Sequence, residues 1–380
     1  MSSVEEFRAE IRAWLADHLV GEFAELRGRG GPGREHEAFE GRLAWERHMA
    51  AHGWTCVGWP VEHGGRGASL EEQIAFHEEY ALADAPARVN HIGEQLLGPT
   101  LIAFGTEEQK QRFLPPIVAV EELWCQGYSE PDAGSDLANV RTRGVLSPDG
   151  SQWVVDGQKI WTSLAHEAQW CFVVARTEPG SRRHAGLSYL LVPLDGPGVE
   201  VRPIVQLTGT SEFNEVFFDG ARTDASHVVG EPGDGWRIAM ATLGFERGVS
   251  TLGQQVGFRR EWDALAELAR KNGGIADPLI RDRLVRAWID LEAMAASARR
   301  GVDPSVGKLH WAAWHRGLGE LAMDVCGAAS TVAAGEPYEL DDWQRLFLFS
   351  RADTIYAGSD EIQKNIVAER LLGLPKEARV

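Results

Sequence analysis

The hydrophobic period of the chain changes twice, and this pattern limits the possible folds more than any other feature. Up to about residue 121, apolar residues such as Phe7, Ile11 and Leu15 recur at three- and four-residue steps, which predicts helices. From about 122 to 230 the chain consists of short β-branched and aromatic runs separated by Gly, Pro and Asp turns, which predicts strands. The helical period then returns. We predict a helical domain over 1–121, a β domain over 122–230 and a second helical domain over 231–380.

The β region is predicted to be an antiparallel barrel or sandwich, because no helices separate its strands. The sequence contains no GxGxxG fingerprint, so a nicotinamide dinucleotide is not expected. A Gly-rich loop at Gly58–Gly67 lacks both the preceding strand and the following Lys of a phosphate-binding loop, and we interpret it as a structural turn. The next helix is predicted to begin with a capping box at Ser69–Glu72.

Charge and cysteine usage exclude several classes of function. A net charge of −18 argues against nucleic acid or an anionic membrane as a partner, since phosphate binding needs clustered Lys and Arg. The four cysteines are far apart with no CxxC spacing, which disfavours a disulfide framework and a zinc site and fits a reducing cytoplasm. His310 and His315, five residues apart, do not share a helix face, so we interpret them as packing and interface residues and expect no metal. The N-terminus resembles no signal peptide, and no apolar run reaches membrane length, so a soluble cytoplasmic protein is expected.

Two polar strand ends are candidates for a ligand site. The first is Cys125–Asp136, in which an apolar run meets Pro131 and a turn rich in hydroxyl and carboxylate groups. The second is Gly157–Ser163, where a strand again ends in hydroxyl residues beside Trp161. Two such ends are suited to form one wall around a flat ring with polar edges.

In this order, the two segments resemble the flavin-contacting signatures of the acyl-CoA dehydrogenase family, and the helix–strand–helix order of the chain is similar to the three domains of that family. The resemblance implies a mainly α fold with a central antiparallel β-barrel domain and a C-terminal four-helix bundle. It also implies FAD as cofactor, an acyl-CoA thioester as substrate, a trans-2-enoyl-CoA as product and an electron-transfer flavoprotein as electron acceptor. The positions that match the family's contacts with the flavin ring are Gln126, Tyr128, Ser129, Trp161 and Ser163. Ser359 and Glu361 match the contacts with the FAD ribose and adenine. Ser135 matches a contact with the CoA chain.

The family reaction needs a base that removes the α-proton of the substrate. In most members this base is the Glu of a Tyr-Glu-Gly-Thr motif. Here the corresponding residues are Tyr356 and Ala357, and a methyl group cannot take a proton. Other members carry a Glu-Arg pair on the first long C-terminal helix, which matches Glu246 and Arg247. The resemblance therefore implies Glu246 as base and Arg247 as a residue that orders the site or the CoA moiety. A main-chain amide near Ala357 would polarise the thioester oxygen.

The neighbourhood of Glu246 fits this role. Positions 239, 243, 246, 250, 253 and 257 lie on one helix face and are mostly small, so another molecule can approach Glu246 closely. Burial in such a crevice would raise the pKa of a carboxyl group, which suits a base. The alternative is a surface glutamate paired with an arginine.

Two segments depart from the homotetrameric members of the family. The regions that would contact the FAD of a neighbouring subunit, Leu268–Gly274 and Asp324–Ala328, do not match the family motifs. They resemble a bacterial subgroup, partly involved in steroid side-chain catabolism, that assembles as α2β2. The partner is thus either further copies of this chain, in a dimer or tetramer, or a related subunit. Two alternative functions remain open: a non-catalytic or half-site subunit, and a flavin-dependent monooxygenase on the same fold, against which the Glu246–Arg247 pair speaks.

Overall fold

Helices and strands form where the hydrophobic period predicts them. The computed structural model describes residues 3–245, 250–336 and 338–376. These residues divide into two compact units. The first contains the chain up to Phe76, Ala83–Gln206 and the described residues from Thr210 to 245; the second contains His77–Leu82, Leu207–Gly209 and the described residues from 250 onward. Because this division has two parts, the predicted boundaries at 121 and 230 stay a prediction.

The N-terminal region is helical. Its helices are α1 Ser3–His18, α2 Phe39–Ala51, α3 Leu70–Leu82, a π-helical turn Gly93–Leu97 that continues into α4 Gly98–Phe104, and α5 Glu107–Val118. The capping box predicted before α3 is confirmed: the Ser69 amide donates to Glu72 Oε2 at 2.8 Å, and the Glu72 amide donates to Ser69 Oγ at 3.3 Å. In the Gly-rich loop, a side chain at Gly65 would collide with the Trp59 carbonyl 2.2 Å away, which supports the interpretation as a structural turn.

The central region forms one eight-stranded sheet. Its strands are β1 Trp124–Gly127, β2 Arg143–Leu146, β3 Gln152–Ser163, β4 Trp170–Arg176, β5 Leu187–Pro193, β6 Val199–Ile204, β7 Phe213–Asp224 and β8 Val228–Val229. The order is β6-β7-β3-β2-β4-β5-β8, and β1 pairs with β4. Most pairs are antiparallel as predicted, but β1 and β2 run parallel to β4. The side-chain pattern did not reveal these parallel pairs, because alternation indicates faces and not strand direction.

After residue 230 the chain is helical again. The helices are α6 Gly235–Phe245, α7 Ser250–Lys271, α8 Pro278–Arg299, α9 Pro304–Cys326, α10 Asp342–Phe349 and α11 Asp360–Ile366, which continues into a π-helical turn Val367–Leu371. In the first unit, α4, α5 and α6 cover one face of the sheet through a core that includes Leu97, Phe172 and Ile238. In the second unit, α7, α8 and α9 share a core that includes Leu265, Leu291 and Leu318.

The predicted fold class is confirmed: along the chain, a helical region comes first, a β-sheet region follows and a second helical region ends it. Within the three described ranges, no helix combines the length and the apolar character needed to cross a membrane.

Candidate active site

The turn after β1 is positioned by close contact between two parallel strands. β1 lies so near β4 that a side chain at Gly127 would approach Cys171 Sγ to 2.8 Å. Beyond the strand, Glu130 and Ala133 exchange two backbone hydrogen bonds of 3.0 Å, which close a tight turn around Pro131. Ser135 follows on the exposed part of this loop. The predicted turn therefore forms, and it begins at the carboxyl end of a buried strand.

A buried ion pair fixes this turn to β3. Lys159 Nζ is fully buried and donates to Glu130 Oε1 at 2.8 Å, to the Tyr128 carbonyl at 3.0 Å and to the Val174 carbonyl at 2.8 Å. Burial lowers the pKa of Lys159. Burial acts to raise the pKa of Glu130, but the charge of Lys159 and the hydrogen bonds from Lys159, Thr142 and Arg141 together outweigh it and lower this pKa. All three donor positions of the ammonium group thus have acceptors, as a buried charge requires.

The two segments that resemble flavin-contacting signatures are also joined through the backbone. The Ile160 amide donates to the Ser129 carbonyl at 2.9 Å, which joins the turn after β1 to β3 just before Trp161. The pairing of β3 with β7 shifts register between Lys159 and Thr162, and Trp161 takes a left-handed backbone conformation with φ of 61°. This bulge turns the indole outward, so that 56% of Trp161 is exposed. Non-glycine residues rarely adopt this conformation, and such backbone strain concentrates at functional sites.

Polar atoms near this junction are buried without protein partners. Gln126 Nε2 and Thr162 Oγ1 are inaccessible to solvent, and neither makes a hydrogen bond with any residue that the structure describes. A buried amide or hydroxyl group without a partner costs free energy, so it points to a ligand or water that completes it. Gln126 is one of the predicted flavin contacts, whereas Thr162 was not predicted. Tyr128 is buried in the helix-covered core, and Ser163 is half-buried at the end of β3.

The second unit contains the segment from Tyr356 to Glu361. Ala357 and Gly358 are consecutive left-handed residues, with φ of 52° and 82°. The side chain of Gln363 on α11 donates to the carbonyl oxygens of both, at 3.0 and 3.5 Å, and its own Oε1 is buried with no partner in the described part of the chain. Ser359 caps α11, and Glu361 is exposed in its first turn. Gln363 therefore holds the shape of a segment in which the sequence predicted only Tyr356, Ala357, Ser359 and Glu361.

A charged network lies directly before this segment. His315 is buried as predicted for a packing residue, but it also bridges two acids, with Nδ1 2.6 Å from Asp353 Oδ2 and Nε2 3.1 Å from Glu261 Oε2. Lys308 donates to the Asp353 carbonyl, and the Tyr356 hydroxyl donates to Asp353 Oδ1 at 2.6 Å. Burial lowers the pKa of His315, but the hydrogen bonds to Asp353 and Glu261 outweigh it and raise the pKa to about 10.

The predicted base and its neighbour lie outside the described residues. Glu246 and Arg247 fall in the gap between α6 and α7. On the helices to either side, Ala239 is buried, and the Gly257 position faces open space, since no described neighbour comes within 4 Å of where a methyl group would stand. Ala239 and Gly257 lie on different helices and in different units, so the small-residue stripe across positions 239–257 stays a prediction.

Sequence reasoning missed several residues in each unit. In the first unit these are Lys159 and Glu130, which hold the turn after β1, and Thr162 with its unpartnered hydroxyl group. In the second unit they are Gln363 and Asp353, which bond to the segment around Tyr356 and Ala357. For Lys159 a signal was available, because it occupies an inward position in the alternation of β3, which begins with buried Trp153 and Val155. A lysine at such a position needs a buried partner. The sequence gives no comparable signal for Gln363 or Asp353.

The chain matches known proteins over its whole length. Family profiles described as the N-terminal, middle and C-terminal domains of acyl-CoA dehydrogenase match residues 2–121, 125–221 and 233–372, in this order. Acyl-CoA dehydrogenase IpdE1 of Mycolicibacterium smegmatis is 66% identical over 393 residues, and the alignment covers 100% of each chain.

Two solved structures extend this similarity to the fold. One, named Tcur3481-Tcur3483 steroid ACAD, is 30% identical with a TM-score of 0.83, and covers 99% of each chain. The other, the ChsE4-ChsE5 complex from Mycobacterium tuberculosis, is also 30% identical over 99% of each chain, with a TM-score of 0.79. From the matches of all three domains and the identity to a full-length relative, it follows that this chain belongs to the acyl-CoA dehydrogenase family of oxidoreductases.

Proposed function

We propose that this protein catalyses the FAD-dependent α,β-dehydrogenation of an acyl-CoA thioester to a trans-2-enoyl-CoA, with Glu246 as the base. The observation that carries the proposal is the unpartnered Gln126 amide, buried in β1, whose following turn is hydrogen-bonded to β3 just before an outward-turned Trp161. In this chain, the two segments that resemble the flavin signatures of the family are joined by direct hydrogen bonds.

The residues present fit a flavin. Gln126 and Ser129 offer hydrogen-bonding groups to a polar ring edge, Thr162 and Ser163 offer hydroxyl groups, and exposed Trp161 offers an aromatic face. We assign Tyr128 to the support of this wall, and Ser359 and Glu361 to the ribose and adenine. Bound FAD supplies the acceptor for the hydride that leaves the β-carbon of the substrate.

Glu246 is the proposed base because the usual position for one is occupied by Ala357, which cannot accept a proton. In this mechanism, a Glu246 carboxylate oxygen takes the proton from the α-carbon while a hydride leaves the β-carbon, so that the carbon–carbon bond becomes double. A main-chain amide near Ala357 stabilises the negative charge that grows on the thioester oxygen. Arg247, Ser135 and Tyr356 are proposed to contact the CoA moiety or the acyl chain.

For the acyl group we infer a bulky, ring-bearing acid. The structural relative at 30% identity carries the word steroid in its name. The Ala357-Gly358 pair leaves room at a position where many members of the family have a carboxylate side chain. We infer that the enzyme works in the cytoplasm and that an electron-transfer flavoprotein reoxidises it.

We also propose that a second, related subunit completes the enzyme. The segments Leu268–Gly274 and Asp324–Ala328, which in homotetrameric members serve the FAD of a neighbour, do not match here. The ChsE4-ChsE5 relative was solved as a complex of two proteins. This chain would then contribute most of one FAD site and receive the remaining contacts from its partner.

The test is anaerobic titration of the purified protein, alone and with its proposed partner, with a panel of linear and ring-bearing acyl-CoA thioesters. Bleaching of the flavin absorbance measures its reduction. Glu246→Gln should slow this reduction by a factor of about 10² or more, as expected for loss of a general base. Glu267→Gln is the matched control, since Glu267 is an exposed glutamate on α7 that pairs with Arg270 on the same helix.

The outcomes separate the alternatives. Equal bleaching in Glu246→Gln and the wild type would disprove the base assignment. A protein that binds no flavin even with the partner would support a non-catalytic subunit. Rapid reoxidation by air together with a hydroxylated product would support a monooxygenase.

A further inference from the structure

Three histidines meet at the ends of two helices in the N-terminal region. His18 is the last residue of α1, His48 lies in the last turn of α2, and His52 caps the carboxyl end of α2. His48 and His52 are four residues apart, so they lie on the same face of the helix end. One ring nitrogen from each of the three lies within 4.8 Å of the other two.

The hydrogen bonds of the cluster determine which nitrogens are available. His52 Nδ1 lies 2.8 Å from the His48 carbonyl oxygen, which can only accept, so this nitrogen carries the proton. The lone pair of His52 is therefore on Nε2. His18 Nδ1 and His48 Nε2 are 2.9 Å apart and share a single proton between them. Once the shared proton leaves, His18 Nδ1 and His48 Nε2 each have a lone pair, as His52 has on Nε2.

The cluster is supported on one side by aromatic rings. The indole of Trp14, one turn before His18 on α1, has its centroid 4.6 Å from the His18 ring, 5.9 Å from the His48 ring and 5.7 Å from the His52 ring. The ring of Phe23 lies 5.3 Å from that of His48. These contacts hold the imidazoles in place, which lowers the entropic cost of bringing three ligands together. His18 and His48 are half-buried, and His52 is exposed, so the cluster is open to solvent on one side.

We propose that His18, His48 and His52 bind a divalent transition metal ion, with Zn²⁺ as the best fit, and that the ion fastens the end of α1 to α2. Neutral imidazole suits Zn²⁺, Cu²⁺, Ni²⁺ and Co²⁺ and does not suit Mg²⁺ or Ca²⁺. Three histidines with an open side give the three protein ligands and one solvent position of a tetrahedral zinc site.

One pair of ligand atoms is already near the spacing that zinc needs, and no two of the three are more than 4.8 Å apart. Zinc–nitrogen bonds of about 2.0–2.1 Å place tetrahedral ligand atoms about 3.3 Å apart. The His18 and His48 nitrogens, now 2.9 Å apart, therefore separate by about 0.4 Å as the ion replaces their shared proton. The bond from His52 Nδ1 to a backbone carbonyl is the kind of outer contact that orients a histidine ligand. The wide spacing of the cysteines argues only against thiolate sites and has no bearing on this one.

Metal binding to the untagged, chelator-treated protein tests the proposal. Titration with Co²⁺ should give the visible absorption bands of tetrahedral cobalt and saturate at one ion per chain, and Zn²⁺ should displace the cobalt. His52→Ala should weaken Co²⁺ binding by more than about tenfold. Removal of a residue that only hydrogen-bonds a metal ligand already lowers metal affinity by about tenfold or more, and His52 is itself a proposed ligand. His52 is exposed, so this variant keeps the fold.

The control is His36→Ala, which removes another exposed histidine of the N-terminal region that is not part of the cluster. It should bind Co²⁺ as the wild type does. Zn²⁺ should also raise the thermal midpoint of the wild type and of His36→Ala but not of His52→Ala, since an ion that binds only the folded state stabilises it. Equal binding by the wild type and His52→Ala, or no saturable binding by the wild type, would overturn the proposal. None of these measurements depends on flavin or on activity.

Discussion

Single charged side chains hold the candidate site together, and Lys159 is the first of them. We predict that Lys159→Met destabilises the protein by about 3–5 kcal/mol, because the change leaves the buried Glu130 carboxylate without its cation. The same change frees the carbonyl of Tyr128, so flavin affinity should fall as well. Urea unfolding and the flavin content of the purified protein are the measurements.

The control for Lys159 is an ion pair at the surface. Arg202 and Glu200 pair at 2.7 Å with more than half of each side chain exposed, so Arg202→Met should leave the free energy of unfolding nearly unchanged. The double variant Lys159→Met/Glu130→Gln should be less destabilised than the sum of its single changes, since it removes both charges. If Lys159→Met and Arg202→Met lowered the free energy of unfolding by similar amounts, the structural role of Lys159 would be contradicted.

At His315 the prediction concerns pH. The pKa of His315 is raised from the ordinary 6.5 to about 10 in the folded protein, so its contribution to stability is complete below about pH 6.5 and disappears as the pH rises through about 10. His315→Gln should therefore be less stable than the wild type by a few kcal/mol at pH 6, and this difference should shrink steadily toward pH 10. Urea unfolding of both proteins across this range measures it. A difference that is constant with pH would show that His315 is uncharged.

At the scale of elements, two capping boxes of similar sequence differ in the hydrogen bonds of the Glu or Gln side chain that bonds back to the N-cap amide. In α5 the Gln109 side chain returns to the Thr106 amide and also donates to the Ser226 and Val228 carbonyls at 2.6 and 2.7 Å. In α3 the Glu72 side chain returns to the Ser69 amide in a solvent-exposed hydrogen bond. We predict a loss of about 1.5–3 kcal/mol for Gln109→Ala and less than about 1 kcal/mol for Glu72→Ala, because only the first leaves tertiary acceptors unpaired. Equal losses in urea unfolding would show that the contacts of Gln109 beyond the cap contribute nothing.

The helices and strands were predictable from the sequence, whereas the contacts between them were not. The helix at Glu107–Val118 and the strand that begins at Val199 lie in the regions whose local period predicts helices and strands, since that period depends on nearest neighbours. Contacts between distant segments were not predictable in this way. Lys159 and Glu130 are 29 residues apart, and His18 and His48 are 30 residues apart. Only the three-dimensional arrangement brings these pairs together.

In the candidate site, too, features set by the local sequence could be predicted, and features that depend on packing could not. The turn at Pro131 and the bulge at Trp161 occur in segments that the sequence identified, because turn residues and a resemblance to the family mark them. The unpartnered hydroxyl of Thr162 and the two bonds from Gln363 were not foreseen, because burial and hydrogen bonding depend on the packed structure. The roles of Gln126, Tyr128, Ser129 and Ser163 toward flavin, and of Glu246 as base, stay predictions.

At the scale of the whole molecule, the proposed enzyme needs a surface through which it assembles. Within the second unit, α8 exposes three large apolar side chains, with 49% of Val285, 41% of Trp288 and 53% of Ile289 accessible. Their spacing of three and four residues places them on one face of the helix. Scattered apolar residues are normal on a protein surface, whereas a cluster that includes a tryptophan is typical of protein–protein contact.

We predict that this face of α8 contacts another subunit, either the proposed partner or a second copy of this chain. Trp288→Glu should then shift the mass of the assembly, measured by light scattering, toward that of the single chain, because a charge at the centre of an apolar interface is desolvated without compensation. Val61→Glu is the control, since Val61 is 69% exposed in the N-terminal region and should tolerate the charge. If Trp288→Glu leaves the mass unchanged while the protein stays folded, α8 is a solvent-facing helix and the assembly forms through another surface.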